Sequence, residues 1–96
     1  GMSVLGIENE LKRINLYLNA GYGDRESGQG VQVAVSIDDM HKVYPRDRDL
    51  PKLLLECYNT LGRMHTPGAQ GAATRIRAIL TVEYQDSPQA RQLLNG

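Results

Sequence analysis

Arg75-Ile76-Arg77-Ala78-Ile79-Leu80-Thr81-Val82-Glu83-Tyr84 sets Ile76, Ala78, Leu80, Val82 and Tyr84 on one side and Arg75, Arg77, Thr81 and Glu83 on the other. A period of two is the signature of a strand with one buried face. A helical reading of residues 72–84 would turn Arg75 and Glu83 into the apolar arc, whereas the strand reading misplaces only Ile79, so the count favours a strand over 75–84. Upstream, Val31-Gln32-Val33-Ala34-Val35-Ser36-Ile37 alternates in the same way and predicts a strand over 31–37. Asp38-Asp39 then offers a turn into a short third strand over 40–44, with a helical turn capped by Ser36 as the alternative.

Around these runs lie three helical patterns. Ile7, Leu11, Ile14 and Leu18 recur at three and four and predict a helix over 4–20, stopped by Gly21. Leu16 and Tyr17 widen its stripe beyond what one surface helix needs. Leu50, Leu53, Leu54, Cys57, Tyr58, Leu61 and Met64 predict a core helix over 50–64, with Asp49 as N-cap and Pro51 in the first turn. Ser87 and Pro88 open a terminal helix over 88–94 by the same logic. Residues 21–30 and 66–73, rich in glycine and small side chains, read as loops. The expectation is an α+β fold: a small two- or three-stranded sheet packed on helices 4–20, 50–64 and 88–94, as one domain over 2–96, with Gly1 read as a scar of tag removal.

Ninety-six residues suffice for one core. Eleven acidic and eleven basic side chains cancel, which argues against strong chain-wide attraction to nucleic acid or anionic membrane. The distribution is uneven: residues 42–82 carry seven basic and three acidic groups, and from Cys57 through Val82 there is no carboxylate. Any anion-binding face should be built there, from Arg63, Arg75 and Arg77. No run approaches a membrane span, and a single cysteine suits a reducing compartment, so a cytoplasmic protein with no membrane partner is expected.

Residue types that carry reactions are few. Cys57 lies mid-helix on the leucine stripe, where a thiol is desolvated and inert, with His41 or His65 as the only imidazoles. Asp38, Asp39 and His41 are the tightest group of metal-capable side chains, yet no local partner completes a ligand set. Asp38 or Asp39 with Glu56 or Glu83 could pair as carboxylates only if a cleft joined them. Gly68-Ala69-Gln70-Gly71 is similar to the Gly-x-x-Gly clamp of KH domains over four residues alone, without basic residues between the glycines, and nothing is carried over. No catalytic residue, metal or cofactor is therefore expected.

What the pattern does offer is apolar surface in excess of what a small sheet and three helices can cover. The expected function is non-catalytic protein–protein binding with self-association, using Leu16, Tyr17 and Tyr84 together with the edge of strand 75–84. The alternative is a nucleic-acid-binding accessory or regulatory factor using the arginine-rich 42–82 region, with Arg46 and Arg48 beside the three arginines above.

Overall fold

Residues 75–84 are not a strand but the second half of a helix. The computed structural model describes residues 2–96 and contains five α-helices: α1 Val4–Asn19, α2 Ser27–Val43, α3 Leu50–Leu61, α4 Pro67–Glu83 and α5 Pro88–Asn95, with one 3-10 turn at Gly23–Glu26. Among the described residues there is no strand, so the α+β expectation is overturned in favour of a small helical bundle. The strand expected over 31–37 and the hairpin arm expected over 40–44 are both absorbed by α2, capped at Tyr44.

The reason is visible in what each helix buries. In α4 the buried residues are Ala69, Ala73, Ile76, Ile79 and Leu80, a three-and-four spacing whose first half is made of alanines. Glu83 does fall on that arc, but it is the last residue of the helix and is exposed. Arg75 also stays in solvent, and Val82, which the alternation placed inside, is 66% exposed. Likewise α2 buries Gly30, Val33, Ala34 and Ile37, and leaves Val35 48% exposed. Two of the four buried residues of α2 and two of the five of α4 are Gly or Ala, so the larger side chains around them impose an accidental period of two.

Small residues in these stripes permit close approach. A Cβ on Gly30 would stand 3.0 Å from Leu61 Cδ2 and from Met64 Cε, so glycine there lets α2 lie close against the C-terminal end of α3 without displacing those side chains. The centre of the core is α3, from which Leu50, Leu53, Leu54, Cys57, Thr60 and Leu61 are buried. Helix α4 packs on α3 and α2, α1 on α2 and α3, and α5 closes the end of α3 and α4.

Helix starts follow their caps. The hydroxyls of Ser3, Thr66 and Ser87 accept from the N–H groups of Gly6, Ala69 and Ala90 at 3.0, 3.3 and 3.1 Å, and Pro67 and Pro88 occupy first-turn positions. Asp49 makes no side-chain cap on α3; its N–H donates instead to Asp47 Oδ1 at 2.9 Å, because Asp49 is already helical in backbone. Gly21, at φ 89°, supplies the left-handed step that ends α1. Thr66 Oγ1 also bonds Ser27 Oγ at 2.8 Å, joining the starts of α2 and α4. Thr66→Ala should therefore lower unfolding free energy by about 1–2 kcal/mol in urea titrations, the upper part of the range for an N-cap.

Candidate functional site

Three surface grooves separate the arginines that the sequence suggested as one anion-binding face. Between α1 and α3 lies a groove of about 690 Å³. Its floor is a polar network: Asn15 Nδ2 donates to Thr60 Oγ1 at 2.9 Å, and Thr60 Oγ1 donates to the Glu56 carbonyl at 2.9 Å. Arg63 closes one end, donating to Asn15 Oδ1 at 2.9 Å and Asn19 Oδ1 at 2.7 Å. Both acceptors are neutral amides, so the guanidinium is held in place and keeps its charge. Leu16, 70% exposed, lies on the rim.

Arg75 and Arg77 diverge because two residues turn a helix through about 200°. Arg75 faces the groove between α2 and α4, about 310 Å³ in volume, where its guanidinium meets Asp38 Oδ2 at 3.4 Å. That pair is the only charge on a lining of Val31, Val35, Pro67, Gly68, Gly71, Ala72 and their neighbours. Arg77 lines a groove of about 520 Å³ between α3 and α4, with Tyr58, His65, Thr74 and Val82. No carboxylate lines it.

Of the residues expected to bind protein, Leu16 is exposed as required. Tyr17 is half committed within the chain: the Arg13 guanidinium stands 5.4 Å from its ring centre, and the Tyr22 ring meets it edge-on at 6.4 Å. Arg13 in turn bridges Glu10 and Glu26, whose carboxylates raise its pKa, Glu26 the more strongly. Tyr84 is a structural tie. Its hydroxyl donates to the Pro45 carbonyl at 2.6 Å and its ring meets His41 edge-on at 5.9 Å, with burial, then Glu83 and Asp47, raising its pKa.

The groups that could carry chemistry do not converge. Cys57 is fully buried in α3, and burial pushes its pKa up to about 12. Asp38 Oδ1 and His41 Nδ1 are buried without hydrogen-bond partners and stand 3.8 Å apart, while Lys42 and Arg75 flank the same carboxylate. Asp39, turned about 100° from Asp38 on α2, is exposed. Glu56 pairs with Lys52 at 4.0 Å on α3, remote in sequence and element from Asp38 and from Glu83 at the end of α4. His65 lies beyond α3, its N–H donating to Asp24 Oδ1 at 3.0 Å. Among the described residues no three His, Cys, Asp or Glu side chains gather as a metal site would require, and no helix is long and apolar enough to cross a membrane.

Sequence reasoning missed the α2–α4 groove altogether, since assigning residues 31–37 and 75–84 to strands hides any helix–helix surface. The signal that could have found it is the set Val31, Ala34, Val35, Asp38 against Gly68, Gly71, Ala72 and Arg75, both at helical spacing. Comparison with protein-family models, with curated proteins and with solved structures gives no match for this chain.

Proposed function

We propose that this chain is a small non-catalytic domain that self-associates and acts by binding protein, with the α2–α4 groove as the contact between copies. The observation that carries this reading is a projection and a recess on one surface. Val35 stands 48% exposed on α2, and beside it α4 presents Gly68, Gly71 and Ala72. An isologous pair needs a patch that complements itself, and a valine ridge next to a glycine-lined recess meets that need. Gly71 adds support: it lies inside α4, nothing comes within 4 Å of where its side chain would be, and glycine there costs the helix about 1 kcal/mol relative to alanine. A second backbone lying against it would offset that cost.

The single chain is as compact as a monomeric domain. The accessible surface of 5772 Å² is close to the roughly 5,500 Å² expected of a folded monomer of this mass, so variants that separate the copies should remain helical. Light scattering on a size-exclusion peak at tens of micromolar should give twice the chain mass, and Val35→Glu or Gly71→Leu should give the single-chain mass with an unchanged helical circular dichroism spectrum. A single-chain mass for the unmodified protein would overturn the proposal. The nucleic-acid alternative has less support, since Arg63, Arg75 and Arg77 line three different grooves and Arg75 is engaged by Asp38. The lone thiol, Cys57, fits a reducing compartment such as the cytoplasm.

A further inference from the structure

The α3–α4 groove differs in charge from the rest of the surface. Every residue lining it comes from positions 58–82, inside the stretch from Cys57 to Val82 that contains no Asp or Glu. The excess of positive charge noticed along the sequence thus becomes a property of one surface. On other surfaces Arg13 is matched by Glu10 and Glu26 and Arg75 by Asp38, while Arg63 is held by two amides. Arg77, half-buried at the groove wall, has no carboxylate within 4.0 Å and no side-chain hydrogen bond among the described residues. The two hydroxyls nearest it in sequence offer it little, because Thr74 and Thr81 both donate back to their own helix, to the Gln70 and Arg77 carbonyls at 3.1 and 2.9 Å. Around the cation Gln70, Thr74, Thr81 and His65 are polar, and apolar side chains supply most of the remaining lining. Ala73 and Ala78 leave space along α4, Tyr58 contributes a half-buried ring, and Val82 stands 66% exposed at the far end.

A carboxylate-free trough between two helices, partly apolar and with one unanswered guanidinium in its wall, suits a ligand that brings aliphatic side chains and a carboxylate together. We propose that this groove docks an acidic amphipathic helix of a partner protein, a carboxylate of that helix pairing with Arg77 while an aliphatic side chain seats between Tyr58 and Val82. Nucleic acid fits less well: one permanent cation and a single aromatic ring, Tyr58, supply neither the run of phosphate contacts nor the stacking platform that such ligands use. The groove shares no lining residue with the α2–α4 groove, so docking and self-association draw on different side chains.

The test titrates ¹⁵N-labelled protein with a synthetic amphipathic helix built from Leu, Ala and Glu, with the same peptide carrying Gln for Glu, and with a single-stranded oligonucleotide. The expected result is saturable shifts at Thr74, Arg77, Ala78 and Val82 with the Glu peptide alone. Arg77→Gln, an outward-facing change that should leave the spectrum folded, should weaken binding about tenfold or more, and added salt should weaken it further. Equal binding of the Gln peptide, equal binding by the Arg77→Gln protein, shifts confined to other surfaces, no shifts at millimolar peptide, or saturable binding of the oligonucleotide at these residues would each overturn the proposal. Running the titration on Val35→Glu keeps the two proposals separate: docking should survive in that variant even where association is lost.

Discussion

Ile76→Ala should lower the free energy of unfolding by about 2–5 kcal/mol, while Val82→Ala leaves it unchanged or raises it by a few tenths, about 0.5 kcal/mol at most. Ile76 is completely buried and belongs to the single core formed by α1 to α5, so truncation loses transfer free energy and leaves a cavity that rigid helices cannot close. Val82 is 66% exposed on a helix, where alanine removes a β-branched side chain that α-helix disfavours. The two residues would share a buried face in a strand, and there both truncations would destabilise. Urea titrations of the two variants separate these outcomes, and a loss above about 1.5 kcal/mol for Val82→Ala would be incompatible with the helical arrangement.

That contrast shows why the elements around α3 were legible and α2 and α4 were not. Helices announced by large side chains at three and four, α1 with Ile7, Leu11 and Ile14 and α3 with its leucines, follow directly from the hydrophobic pattern. The terminal helix follows from Ser87 and Pro88, because caps act locally. In α2 and α4 the information resides in Gly30, Ala34, Ala69 and Ala73, which are buried for their smallness. A count that weighs apolar bulk gives these positions little weight and gives Val35 and Val82, which point outward, too much. Glycine further obscured the pattern: Gly28, Gly30, Gly68 and Gly71 read as loop residues, yet all four lie within helices.

The same error propagated into the site. Two arginines two residues apart share a face of a strand, about 7 Å from one another, and oppose one another on a helix. Arg75 and Arg77 therefore serve different grooves, one matched by Asp38 and one unmatched. The carboxylate-free stretch was legible because charge content does not depend on conformation. Its assembly into a single lining was not, since that needed the hairpin of α3 and α4. Tyr84 shows the converse: expected as a protein contact, it is spent on holding the end of α4 to the Pro45 carbonyl.

Cys57 should be protected from thiol reagents at about pH 8 by at least about a thousandfold relative to the unfolded chain. The thiolate is the reactive species, and burial among the α3 leucines raises the pKa from 9.0 to about 12, which reduces the thiolate fraction by that factor before any steric exclusion is counted. The same shift has a consequence for stability. Below about pH 9 the thiol is neutral in both states and contributes no pH dependence. Between about pH 9 and about pH 12 the unfolded chain gives up the proton while the folded chain retains it, so the unfolded state binds fewer protons and stability falls by up to about 1.4 kcal/mol per pH unit. Cys57→Ala removes this contribution, so subtracting its pH profile from that of the unmodified protein isolates the cysteine from tyrosines and lysines that titrate in the same range. Labelling that tracks global unfolding across a urea series, together with a difference profile that declines above about pH 9, is the expected result. Rapid labelling of the native protein would mean that α3 opens to solvent at its centre, which would remove the packing from which both groove walls are built.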